Sequence, residues 1–227
     1  MPKLIRIGLA ESQDLMRCLL RGYLNGVPHL DVLFAVNNGQ DLLQKAREYE
    51  PDIVIFDTDL SVVDGWQVLS RFEKELPKVK KLILTNRFDD YTILDVFANG
   101  ANGMVSKMTD VETLTEAIST LIFDDIYIKN HQPLREQYLR GSLKIKDPIT
   151  LTRTEHSVLR LCMHDLTKHE ICKQLGMQVR TVEWHIGNII SKTNCGSVEL
   201  LRCWSFEELA RLFQFAKKQI VKRVKPV

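Results

Sequence analysis

The sequence predicts a doubly wound α/β domain built on a five-stranded parallel sheet, followed by a separate all-helical domain. Three observations carry that reading. Short apolar runs alternate with helix-spaced segments through residues 1–128. The rhythm then lapses in a polar stretch containing Pro133 and Gly141-Ser142. Beyond Pro148 the apolar spacing is helical, and the charge changes sign. That portion carries 13 Lys and Arg against 7 Asp and Glu, where the part before it carries 18 against 22. An acidic front joined to a basic back suits a regulatory part coupled to a polyanion-binding part.

Each element follows from local pattern. Leu4–Ala10 alternates apolar positions as a strand does, and Asp14–Asn25 has helical spacing at Leu15, Leu19 and Tyr23. Val32–Val36 is a second strand, and Gly39–Glu50 a helix stopped by Pro51. Ile53–Phe56 is a continuous apolar run, as in a strand buried on both faces. The helix Asp64–Leu76 stops at Pro77, and Lys81–Leu84 is the fourth strand. Asp89–Ala98 is a helix ending at Asn99-Gly100, and Met104–Ser106 is the fifth strand. Thr109 and Glu112 read as a capping box for a helix running to Phe123. Alternation of this kind implies a parallel sheet with helices on both faces. Residues 129–147 read as a linker with a short helix around Leu134–Leu139, which leaves 1–128 as the first domain.

In residues 148–204, Thr152/Glu155 and Thr167/Glu170 form capping boxes for two helices. Gly176 breaks the chain before a longer helix, Val179–Thr193, and Ser197–Trp204 reads as a short one. In residues 205–227, Ser205 and Glu208 cap a helix expected to run from Phe206 to Val221, with a basic end at Lys217, Lys218, Lys222, Arg223 and Lys225. Trp66, Trp184 and Trp204 are expected to serve the core or helix packing.

Composition removes several classes. The 227 residues are 44% hydrophobic and 26% charged, an ordinary globular mix. No apolar run approaches the roughly 18–20 residues of a membrane span. Five scattered cysteines without a CxxC pair point to reduced thiols in a cytoplasmic protein rather than a disulfide framework or a zinc site.

Ligands of open parallel sheets gather where the strands end. There the sequence places Glu11-Ser12, Asp57, Thr85 and Lys107. A carboxylate in that company can attack a phosphoryl donor, while an ammonium and a hydroxyl hold the phosphoryl oxygens and Mg2+ offsets charge.

The segment Ile53–Gly65, with Thr85 and Lys107, resembles the receiver domain of two-component response regulators. The resemblance implies Asp57 as phosphoacceptor, Thr85 and Lys107 as switch residues and Met104 at the aromatic switch position. It further implies Mg2+ at Glu11, Asp57 and Asp59, and a sensor histidine kinase as partner. Ser12 replaces the second acid of the family's metal pair, and Ser61 stands at its usual proline. Phosphorylation at Asp57 and a phosphorylation-independent regulator therefore both stay open. Asp57-Thr58-Asp59 is also similar to the DxD of haloacid-dehalogenase phosphatases, with Asp57 as nucleophile and Asp59 as acid. Two complete βα units precede it, however, and no enzyme is expected.

Residues 151–204 resemble the LuxR-type helix-turn-helix of the NarL/FixJ subfamily. The resemblance rests on Leu151-Thr152, Glu155, Val158-Leu159, Glu170-Ile171, Leu175, Thr181-Val182, His185, Asn188-Ile189 and Lys192. It implies binding of double-stranded DNA by Arg180, Thr181, Val182, Glu183, His185, Asn188 and Lys192. Glu183 stands where the family usually has lysine and is expected to repel phosphates. The whole reads as a homodimeric DNA-binding transcription regulator, with a protein-interaction adaptor as the alternative.

Overall fold

The computed structural model describes residues 4–124, 126–128 and 147–213. The first domain alternates β1 (Ile5–Ala10), α1 (Asp14–Asn25), β2 (Leu30–Val36), α2 (Gly39–Tyr49), β3 (Ile53–Phe56), α3 (Gly65–Glu75), β4 (Lys80–Thr85), α4 (Asp90–Ala98), β5 (Gly103–Ser106) and α5 (Val111–Phe123). The five expected strands are parallel neighbours in the order β2-β1-β3-β4-β5. A two-residue sixth strand, β6 (Tyr127–Ile128), extends the sheet beside β5, pairing Gly103 with Tyr127.

The register explains the double burial. β3 aligns Ile53 with Ile7 of β1 and with Lys80 of β4. Side chains alternate across a strand, so Ile53 and Ile55 join Ile7, Leu9, Leu82 and Val105 in a core under α1 and α5. Val54 and Phe56 join Leu42, Leu69, Phe72, Ile83 and Met104 in the core of the other face. Asp57 follows β3, mid-sheet, and lies 5% exposed.

Local chemistry sets the helix starts. Asn38, Asp64, Asp89 and Asp110 each accept a hydrogen bond from a first-turn amide. The expected Thr109/Glu112 box is corrected here. Thr109 donates its N–H to Ser106 O in the turn after β5, which leaves Asp110 to cap α5 through Thr113 N–H at 2.7 Å.

The helical domain comprises α6 (Arg153–Met163), α7 (Lys168–Leu175), α8 (Val179–Thr193), a 3-10 turn at Glu199–Cys203 and α9 (Phe206–Ala210). The capping boxes Thr152/Glu155, Thr167/Glu170 and Ser205/Glu208 all form. The last helix is shorter than expected and ends at Ala210. The amides of Arg211, Leu212 and Phe213 turn back to Glu208, Leu209 and Ala210, and Arg211 O accepts from Ile149 N–H. The expected linker helix and the residues from 214 onward lie outside the described residues.

The two domains are packed together. Every residue of α4 from Tyr91 to Phe97 is buried, as befits a helix covered on both sides. One side faces the sheet, and α6 and α9 cover the other. Tyr91 meets the Phe213 ring edge-on at 5.3 Å between centroids. Asp95, 1% exposed, receives Arg160 of α6 as a two-pronged partner, with Nη2 to Oδ1 at 3.0 Å. The Arg160 guanidinium also lies 4.1 Å over the Trp66 ring of α3. No described helix is long and apolar enough to cross a membrane.

Candidate functional site

At the ends of β1, β3 and β5 the side chains of Glu11, Asp57 and Lys107 meet, and Thr85 at the end of β4 reaches them through Thr58. Lys107 Nζ lies 2.6 Å from Asp57 Oδ2 and 2.7 Å from Glu11 Oε2, with all three side chains nearly buried. Burial alone would lower the Lys107 ammonium. The hydrogen bonds to Asp57 and Glu11 outweigh it and hold it above the ordinary lysine value. The other Asp57 oxygen, Oδ1, accepts two long hydrogen bonds, 3.3 Å from Asp59 N–H and 3.4 Å from Thr58 Oγ1. Oδ1 is therefore the freer oxygen. Thr85 Oγ1 lies 3.5 Å from Thr58 Oγ1 and accepts Arg87 N–H at 3.2 Å.

The backbone behind Asp57 depends on Gly65. A Cβ on Gly65 would stand 2.6 Å from Asp57 O and from Thr58 Cα. Gly65 N–H in turn bonds Thr58 O at 3.0 Å. The helix start is thus pinned against the strand end, and any side chain there displaces the carboxylate.

The expected metal trio needs correction. Among the described residues no three His, Cys, Asp or Glu side chains are grouped to hold an ion. Glu11 and Asp57 converge, but on Lys107. Asp59 stands exposed at the mouth, its carboxyl raised by partial burial and by the Asp57 charge. Ser12 Oγ lies 3.5 Å from Glu11 Oε1 and adds no charge. Mg2+ keeps several waters and takes one or two carboxylates, so Glu11 and Asp57 fit it as a pair. Met104 is also unlike an aromatic switch, being fully buried in the sheet core.

Sequence reading missed the group that joins this pocket to the helical domain. Arg87, whose amide bonds Thr85, donates from Nη2 to His164 O at the end of α6, 3.3 Å away. The His164 ring lies 6.2 Å from Trp66. Arg87 itself gave no signal; the interface it joins was signalled by Asp95, the partner of Arg160 and one carboxylate inside the apolar run Ile93-Leu94-Asp95-Val96-Phe97. An acid so placed demands a cation from elsewhere in the fold.

In the helical domain, α7 and α8 meet through a tight turn with Gly176 at φ 64°, and α8 packs on α6. Arg180, Thr181 and Glu183 are exposed on α8, while His185 and Asn188 are half-buried. Two expected contacts face elsewhere. Val182 is 0% exposed in the core. Lys192 spends its ammonium on Glu155, at 2.7 and 2.9 Å. Burial would raise the Glu155 carboxyl, but Lys192 and the Thr152 amide hold it below its usual value. Lys192 thus ties the end of α8 to the start of α6. Glu183 is paired with Lys168 of α7 at 2.9 Å, so its charge is not isolated. Trp66 and Trp204 pack as expected. Trp184 does not, being 62% exposed.

Residues 7–119 match the response regulator receiver domain, and residues 149–204 match the bacterial regulatory proteins of the luxR family. The chain is 32% identical over 199 residues to the transcriptional regulatory protein LnrK of Bacillus subtilis (strain 168), covering 83% of this chain and 90% of that protein. It is 23% identical over 191 residues to the response regulator protein VraR of Staphylococcus aureus (strain NCTC 8325 / PS 47), with the same coverage. RcsB from Salmonella enterica serovar Typhimurium shares the fold at a TM-score of 0.63 and 17% identity, covering 92% of this chain and 98% of that one. The acidic pocket at the strand ends and the helix-turn-helix packed against α4 thus belong to one architecture, and the chain is a member of the response regulators that join a receiver domain to a LuxR-type DNA-binding domain.

Proposed function

We propose that Asp57 accepts a phosphoryl group and that the change at this pocket loosens the hold of the receiver on the helix-turn-helix. The observation that carries the reading is the single residue Arg87, bonded at one end to Thr85 and at the other to the output domain. Asp57 Oδ1 attacks phosphorus of a phosphohistidine or acyl phosphate. The P–O bond to Asp57 forms as the bond to the donor's leaving group breaks. Lys107 stays beside Asp57 and Glu11 and offsets the added negative charge. Mg2+, when bound by Glu11 and Asp57, would supply further charge compensation at the phosphoryl oxygens. The Thr85 hydroxyl, turning toward a phosphoryl oxygen, gives up the Arg87 amide, and the Arg87 grip on His164 shifts with it.

The output is binding of double-stranded DNA by α8. RcsB, similar in fold, was solved bound to promoter rprA in the presence of phosphomimetic BeF3-. The partners expected are a sensor histidine kinase and a second copy of the chain in the cytoplasm. The exposed Leu15 and Leu19 of α1 support self-association, and sedimentation of wild type against Leu19→Lys tests it.

The labelling test uses acetyl phosphate with Mg2+, read by intact mass. Wild type should gain one phosphoryl group and Asp57→Asn none. Ser12→Asp should label faster and bind Mg2+ more tightly, since a carboxylate is a far better ligand than a hydroxyl. Equal labelling of wild type and Asp57→Asn would refute the assignment.

A further inference from the structure

The outward face of α8 carries two features that the fold itself does not require. Trp184 is 62% exposed, although an indole offers one of the largest apolar surfaces available for burial. Its ring lies edge-on to His185, 4.9 Å between centroids. Gly187 lies three residues on, inside the helix. Its φ is not positive, and a Cβ there would meet nothing within 4 Å. Neither backbone conformation nor internal packing calls for glycine at that position. A mid-helix glycine nevertheless weakens the helix relative to alanine.

The two positions are neighbours on one face, because residues three and four apart share a helix side. Exposed Arg180 and Ser191 continue the same stripe one turn before and one turn after. The inward face is set by Val182, Ile189 and Thr193, all buried. Trp184, two residues from Val182, is therefore turned away from the core. The stripe is thus a projecting ring beside a recess, entered past a cation, and it carries no acid. Glu183 lies to one side and is held by Lys168.

We infer that Trp184 reads thymine in the major groove, its indole against the 5-methyl group, with Gly187 letting the helix approach the base edges. This rests on the reading of α8 as the DNA-binding helix. The chemistry favours thymine because its methyl is the apolar feature of the major groove and apolar side chains are what contact it. The indole N–H can only donate, and near thymine it has O4 or a neighbouring purine N7 as acceptor. Trp184 carries no charge, so it releases no counterions and adds nothing to sequence-independent affinity. Its contribution is confined to discrimination.

The experiment selects a preferred duplex from a random-sequence pool with the full-length wild type. That duplex is then rebuilt with each thymine in turn replaced by deoxyuridine, which removes the methyl alone. Wild type should lose about fivefold to tenfold at one or two positions, in the range of a single base contact. Trp184→Ala should bind the parent duplex more weakly by a similar factor and be indifferent to the same replacements. Its log–log salt slope on a random duplex should stay parallel to wild type. Trp184→Phe, which keeps an aromatic plate, should keep part of the methyl dependence. Gly187→Ala should raise the thermal midpoint while weakening the selected duplex. The inference is overturned if Trp184→Ala selects the same sequence with equal affinity and the same deoxyuridine response. It is overturned too if Trp184→Ala changes only self-association. If neither protein shows salt-dependent affinity for any duplex, the DNA-binding reading of α8 fails and the inference with it.

Discussion

Val62 holds the least favourable backbone of the acidic loop. It sits at φ 67° and is 80% exposed. Val63 N–H bonds Ser61 O at 2.8 Å across it, a three-residue turn of the strained, positive-φ kind. Ser61 is fixed from the other side, since its carbonyl also takes Gly39 N–H at 3.2 Å. A β-branched residue in this region is an outlier, costing about 1–3 kcal/mol. Glycine removes that strain and adds back roughly 0.5–1 kcal/mol of unfolded-chain entropy. Val62→Gly should therefore stabilise the protein by about 1 kcal/mol, seen as a higher urea midpoint at unchanged slope. A lower midpoint would show that the turn is not strained. At this scale the sequence was informative wherever a polar residue ended an apolar strand, which is how Glu11, Asp57, Thr85 and Lys107 stood out. It was silent where solvent exposure decides the role. Trp184 and Trp66 look alike in a helical pattern, yet one is exposed and the other packed beneath Arg160.

Between elements, the contact of α6 and α9 with α3 and α4 is the part of the fold that sequence spacing left out. Most elements were legible by themselves, α1, α8 and β3 to the residue, because capping residues and apolar periodicity are local signals, whereas α9 was read too long and α5 was given the wrong cap. Which helix covers which is not local, and only the apolar run of α4 broken by Asp95 hinted at a second partner. The interface is expected to respond to pH through His164. Burial first, and then the nearby Arg87 charge, push its imidazole down to about 4 against the opposing pull of Asp95. Arg160 and Asp89 also face it, and its buried Nε2 has no hydrogen-bond partner. Release from Trp66 and Arg87 would return the ring toward its ordinary 6.5. Between those two values the released form binds a proton that the docked form does not. Docking is thus full above about pH 6.5 and is lost as the pH falls toward 4. Small-angle scattering should show the radius of gyration growing across that window, and His164→Gln should flatten the trend. A constant radius in wild type would mean that His164 is not buried by docking. The Arg160–Asp95 pair works in the same contact, and removing either partner should cost about 3–5 kcal/mol, the penalty for a buried charge left alone.

For the molecule as a whole, one chain of contacts leads from the proposed phosphoacceptor to the helix-turn-helix domain: Asp57 and Thr58, the Thr85 hydroxyl, Arg87, His164 and α6. The domain order and the charge asymmetry were readable from sequence, because each domain carries its own pattern. The junction was not, because Arg87 and His164 lie 77 residues apart and neither belongs to a motif. The receiver holds α6 and α9, whereas Arg180, Thr181 and Trp184 of α8 remain exposed. Under the proposed function, phosphorylation would therefore act by freeing the helical domain to reorient on DNA rather than by uncovering a masked reading face. The most direct test is a titration of one mixed-sequence duplex with the full-length protein, before and after treatment with acetyl phosphate and Mg2+, for wild type, Asp57→Asn and Arg87→Ala. Treatment should tighten binding by wild type and leave Asp57→Asn unmoved, and untreated Arg87→Ala should already bind as tightly as treated wild type. Equal affinity of wild type before and after confirmed labelling would contradict the coupling of Asp57 to DNA binding.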